Sequence, residues 1–164
     1  MSVHMELGVK IVRNLKLGTY GFTEVFQGFD RVRAVKAIFG KRTASILSET
    51  KVVLAARRGY MHIDGKSGEL HVSIQYLETA DERYLYLDVI HELVHIRQFR
   101  EGKELFDEKY DYVDRPTEIE AYTTALKEAR RIGYHGKELV EYLRVDWVSE
   151  ADFGRFLDLL GVEH

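Results

Sequence analysis

Apolar positions recur along this chain in two distinct periods, and the switch between them marks out its elements. From Thr23 the spacing is three and four: Val25, Phe29, Val32, Val35 and Phe39 predict a helix with Thr23 as N-cap and Gly40 as its stop. Residues 43–50 read as a short second helix or a connection, and residues 51–56 as a short buried strand, with a continuing helix as the alternative. Residues 60–63 and 70–77 read as strands, joined by the hairpin-loop composition Asp64-Gly65-Lys66-Ser67-Gly68. In the second of them Leu70, Val72, Ile74 and Tyr76 alternate with His71, Ser73, Gln75 and Leu77, so one face is apolar and the other mostly polar. The capping-box spacing from Thr79 to Glu82 then opens a helix over 81–100, with Gly102 just beyond its end. Its apolar residues run almost all the way round, which predicts a central helix. Residues 103–114 form a charged, tyrosine-rich loop. Helix resumes over 116–131 and closes at Gly133, followed by shorter helices over 137–143 and 149–160, the last opening on a capping-box spacing from Ser149 to Asp152. Residues 1–22 show only a possible short strand or turn of helix. Helices outweigh a contiguous run of strands, so the expected class is α+β, a small, mainly antiparallel sheet beside a helical body.

Composition narrows the chemistry. A length of 164 residues fits one domain spanning 1–164. A net charge of −3, with acids and bases mixed throughout, offers no electrostatic footprint for nucleic acid or an anionic membrane. No stretch approaches the roughly 20 apolar residues of a membrane span, and residues 1–10 are too polar for a signal peptide, so the expected address is cytoplasmic. There is no cysteine, which excludes disulfides, thiol nucleophiles and thiolate metal sites. Any metal ligands must be imidazole and carboxylate.

The central helix carries His91-Glu92-Leu93-Val94-His95. Residues four apart differ by about 40° in azimuth and about 6 Å in height, so both imidazoles leave one face. They can meet one ion at the roughly 2.0–2.1 Å of a zinc–imidazole bond. Glu92, about 100° round the helix, is displaced from that bond and can act on a water instead. Two nitrogens leave a tetrahedral site incomplete. Glu118 and Glu120 are the candidates for a third ligand, and only one should face the ion, because residues two apart point to opposite sides of a helix. Thr117 and Glu120 match a capping box, which accounts for Glu120 structurally and favours Glu118.

The run 89–96, Val-Ile-His-Glu-Leu-Val-His-Ile, followed by Glu118-Ile119-Glu120-Ala121, resembles the gluzincin zinc peptidases, in particular the compact single-domain minigluzincins. The resemblance implies a zincin-like fold: a three-stranded sheet, an active-site helix and a glutamate helix. It implies a hydrolase, a zinc metalloendopeptidase acting on a peptide or protein substrate, with Zn2+ on His91, His95 and Glu118 and with Glu92 as general base. It also implies an edge strand above the metal that pairs with extended substrate, for which 70–77 is the candidate, and a Tyr or His donor to the oxyanion, for which Tyr110, Tyr112 and His135 are available. Two positions depart from the family pattern. Tyr122 stands where many gluzincins carry an aspartate supporting the first histidine, which leaves His91 to be oriented by another group such as a backbone carbonyl. Arg97 stands where an apolar residue is common. The alternative reading is a catalytically silent relative in which the metal is structural or regulatory.

Overall fold

The computed structural model describes residues 6–164, so Met1–Met5 of the polar amino-terminal stretch lie outside the described residues. The chain is α+β. A strand β1 (Lys10–Ile11) and a strand β2 (Gly18–Gly21) lead into a single-turn helix α1 (Phe22–Val25) and a strand β3 (Phe26–Gln27). Helices α2 (Arg33–Phe39) and α3 (Thr43–Glu49) precede strands β4 (Lys51–Ala55), β5 (Met61–Ile63) and β6 (Leu70–Ser73). Five helices complete the chain: α4 (Ile74–Thr79), α5 (Glu82–Arg100), α6 (Pro116–Arg131), α7 (Lys137–Leu143) and α8 (Glu150–Leu159).

The helix expected from Thr23 does not form as one piece. It stops after a turn because Gly28 adopts φ +89°, in the left-handed region, where a Cβ would lie 3.1 Å from the Gly8 carbonyl oxygen. The apolar spacing that suggested a helix serves a cluster instead. Phe22, Phe26 and Phe29 pack ring to ring at centroid distances of 5.2, 5.9 and 6.1 Å, and Phe29 stacks on Tyr86 of α5 at 5.6 Å.

The principal sheet has four strands where three were expected, in the order β2-β4-β6-β5. β2 pairs antiparallel with β4, β4 parallel with β6, and β6 antiparallel with β5, so the sheet is mixed. The extra strand, β2, comes from the amino-terminal stretch that showed only a short strand or a turn of helix, while β1 and β3 form a separate two-stranded ribbon. The strand expected over 70–77 ends at Ser73, which turns the chain into α4 by accepting a hydrogen bond from the Tyr76 N–H and donating its own hydroxyl to the Arg57 carbonyl. β6 therefore lies inside the sheet, and β5 is the edge beside α5. The next helix starts as expected, but its cap is Asp81, which accepts from the Arg83 N–H at 2.8 Å; Thr79 instead bonds back to the Gln75 carbonyl.

Helix α5 is enclosed from Leu85 to Gln98, with α6 along one side and α2 and β5 on others. The β5–β6 hairpin presses against it at Gly68 (φ +76°), where a Cβ would come within 2.6 Å of the Phe99 ring. One contiguous apolar cluster draws residues from Ile11 to Val162 around this helix. Helices α6 to α8 match the expected segments closely, and Ser149 caps α8 by accepting from the Asp152 N–H at 3.2 Å. Among the described residues no helix is long and apolar enough to cross a membrane.

Candidate metal centre

Burying polar side chains on a central helix is unfavourable unless each finds a partner. Helix α5 nonetheless buries His91, Glu92 and His95 to 6%, 6% and 3% exposure. The imidazoles leave one face, as the four-residue spacing requires, with ring centroids 4.8 Å apart and planes nearly perpendicular. Helix α6 runs antiparallel beside them and brings in Glu118, also buried. Its Oε1 lies 3.1 Å from His91 Nε2 and 2.6 Å from His95 Nε2, and the two Nε2 atoms are 3.1 Å apart. A tetrahedral ion with bonds of 2.0–2.1 Å needs donor atoms about 3.3 Å from one another. The triangle these three atoms form is that shape, slightly contracted along the His95–Glu118 edge. The buried group His91, Glu92 and His95 could hold a metal ion, and its ligating atoms lie within 4.8 Å of one another.

Glu120 does not join them. It is half-exposed, and its carboxylate accepts from Gln98 Nε2 at 2.7 Å and pairs with Arg97 at 2.6 Å. The capping box expected for it is absent: α6 carries no side-chain cap, and the Thr117 hydroxyl donates to the Leu105 carbonyl. Arg97, the departure from an apolar residue, thus serves to hold Glu120 outward, with Glu101 as a further partner at 3.0 Å.

Each histidine is oriented differently. The fully buried Gln98 donates from Nε2 to the Thr117 carbonyl and to Glu120, so its Oε1 must face His95 Nδ1, 2.7 Å away. An oxygen there demands a proton on Nδ1 and leaves the Nε2 lone pair of a neutral imidazole pointing into the triangle. For His91 no carbonyl plays this part. Its Nδ1 is buried without a hydrogen-bond partner, and the ring is held by packing on Tyr122 at 4.1 Å, whose hydroxyl is paired with that of Tyr112 at 2.6 Å.

The charges follow from this burial. Burial pushes the Glu92 carboxyl up to about 8, helped by the charges of Glu118 and Asp88, and one of its oxygens has no hydrogen-bond partner. Burial also lowers His91. For His95 burial pulls down, but the Glu118 hydrogen bond and the charges of Glu92 and Glu118 outweigh it and raise the group to about 9. Burial would raise Glu118, yet its bonds to both imidazoles hold it well below the usual carboxylate range. These values belong to the protein without an ion; a dication at the triangle would reverse the local field and favour ionised Glu92.

The triangle opens into a cleft of about 360 Å³, whose wall includes Tyr60, Met61, Phe106, Tyr112, Arg115 and Trp147. Asp88, one turn before His91, shares this wall; its carboxylate accepts from Tyr142 at 2.7 Å and from Tyr76, and burial raises it to about 6. Of the residues considered as oxyanion donors only Tyr112 lines the cleft; Tyr110 is exposed, and His135 bonds to the Gly133 carbonyl. His62 and His71 face each other across β5 and β6 with rings 5.2 Å apart, and His62 reaches the cleft wall. His164 pairs with Asp158 rather than with His91, His95 or Glu118. Gln98, Asp88 and Arg115 escaped the sequence reading. A clue existed for the first two, since both are polar positions inside a helix read as apolar all round. No protein-family model matches this chain, nor does any curated protein or solved structure.

Proposed function

We propose that this chain is a zinc-dependent peptidase of zincin-like build, with His91, His95 and Glu118 as metal ligands and Glu92 as general base. The observation that carries the reading is the enclosed triangle of two Nε2 atoms and one carboxylate oxygen, with a second carboxyl, Glu92, beside it, 3.9 Å from His91 Nε2 and hydrogen-bonded to none of the three. Zinc is preferred because imidazole and carboxylate donors at this spacing suit a tetrahedral ion with an open position. When bound there, zinc supplies a Lewis acid that acidifies water and polarises a carbonyl.

The chain's own residues supply the rest. The partnerless oxygen of Glu92 accepts a proton as water attacks the peptide carbonyl, and the same carboxyl returns it to the departing amine. Gln98 fixes the tautomer of His95, and Tyr122 fixes the ring of His91. The free edge of β5 offers main-chain pairing to an extended peptide, a role expected of residues 70–77 but sterically closed to β6 inside the sheet.

Metal analysis and peptide hydrolysis test this together. The protein should purify with about one zinc per chain. Glu118→Ala should lose the metal, and Glu120→Ala should keep it. Glu92→Gln should keep zinc and lose turnover; loss of zinc in that variant would make Glu92 a ligand and remove the proposed base. Intact zinc with no hydrolysis by the native protein would favour the catalytically silent alternative.

A further inference from the structure

Among the described residues Arg115 is the one lysine or arginine on the wall of the metal cleft, where the acids Asp88, Glu92 and Glu118 are already engaged or committed. Its Nε–H donates to the Asp107 carbonyl at 3.3 Å, which orients the guanidinium. Among the described residues no carboxylate pairs with it. A half-buried arginine held at its Nε and left unpaired at its outer nitrogens presents a fork to the cleft. Several other arginines of the fold are neutralised, Arg97 by Glu101 and Glu120, Arg131 by Glu128, and Arg155 by Asp114 and Asp152, and none of them lies on the wall of this cleft.

Position decides what that fork can take. Arg115 is the N-cap of α6, one turn before Glu118, about 4.5 Å along the axis. An extended residue spans 3.3–3.6 Å. Tyr112 lies three residues before Arg115, and Trp147 bridges from it to Tyr60 across the mouth, with ring centroids 5.7 and 6.4 Å apart. Trp147 is 59% exposed and Tyr60 40%, which leaves aromatic surface open beside the cation.

From this arrangement we infer that Arg115 is a carboxylate clamp, and that the cleft takes a peptide presenting a carboxylate one or two residues from the bond to be cut, beside an apolar side chain packed on Trp147. The substrate class deepens the peptidase reading and rests on it. The carboxylate is either a peptide's own carboxyl terminus or a Glu or Asp side chain.

Trp147 is the sole tryptophan of the chain and sits where the ligand would bind, so its fluorescence reports occupancy without turnover. The probes are N-acetyl-Ala-Ala-Leu with a free carboxylate, the same peptide as its amide, and N-acetyl-Ala-Glu-Leu amide, titrated into zinc-loaded Glu92→Gln protein. The free acid should bind about 10- to 100-fold tighter than the plain amide, the range of charge-assisted hydrogen bonds to a half-buried fork. Arg115→Ala should erase that preference, and Arg115→Lys should keep only part of it. Tight binding of the Glu-bearing amide assigns the clamp to side chains; weak binding assigns it to the terminus. Equal binding of acid and plain amide, no binding of either, or a preference that survives Arg115→Ala overturns the clamp, and the first two need no Arg115 variant to fold. Hydrolysis is read separately on native protein. Carboxylate preference without hydrolysis of any peptide leaves the clamp standing and sinks the peptidase reading, whereas hydrolysis without preference does the opposite.

Discussion

Replacing Gln98 with leucine keeps the volume of a side chain that is 0% exposed and removes all three of its hydrogen bonds. His95 then carries a buried Nδ1–H with nothing to accept it, at a cost of about 1–3 kcal/mol. The ring can escape this by moving its proton to Nε2, which blocks the lone pair that faces His91 and Glu118. Either way the ion meets a less prepared ligand. Loss of such an orienting partner costs about 10- to 100-fold in metal affinity, or roughly 1.4–2.8 kcal/mol. The assay is competition for zinc against a chromophoric chelator at neutral pH, on native protein and on Gln98→Leu. Circular dichroism of both metal-free proteins checks that α5 and α6 survive. Glu120→Gln serves as the control, because it touches Gln98 without touching His95. A folded Gln98→Leu protein whose zinc affinity stays within about twofold of native would refute the reasoning, since 10-fold is the least it allows.

Two further outcomes test the frame around the centre. Asp88 is raised to about 6 by burial, against about 3.9 in an unfolded chain, so the native state holds the extra proton between those values. Stability therefore falls as pH rises from about 4 to about 6, and Asp88→Asn should gain about 2–3 kcal/mol relative to native over that interval, read by urea unfolding of metal-free protein at each pH; parallel profiles would show that Asp88 ionises as freely in the fold as outside it. Gly28→Ala forces a Cβ to 3.1 Å from the Gly8 carbonyl at φ +89° and should destabilise by about 1–3 kcal/mol in the same assay; a neutral result would mean that the β1–β3 ribbon yields easily.

The sequence made most of the chain beyond residue 42 legible, including α3 and β4, and left the first forty residues largely opaque, for a physical reason. Helices α5 to α8 carry their own start and stop signals, such as Ser149 at one end of α8 and Gly161 beyond the other. The amino-terminal elements are two to seven residues long and owe their shape to distant partners. β2, with a glycine at each end, has no strand signal of its own and exists because β4 lies beside it. The alternation over 70–77 looked like one strand because nothing local announces that Ser73 will spend its hydroxyl on Arg57. The spacing of His91 and His95 showed a shared face, because helix geometry alone decides it. The choice between Glu118 and Glu120 was only half legible, since what turns Glu120 away is Arg97 and Gln98 on another helix. Arg115 gave no local clue at all; its meaning lies in having no carboxylate paired with it among the described residues, although acids lie close by on the same cleft.

The donors of the centre come from two helices joined by the connection between Arg100 and Pro116. An ion gripped by both His95 and Glu118 would act as a cross-link closing a loop of about 23 residues, in a chain that has no cysteine with which to make a covalent one. By chain-entropy arithmetic such a closure is worth about 3 kcal/mol. Chelation would then do more than silence chemistry: it would unfasten that connection and expose it to proteolytic nicking.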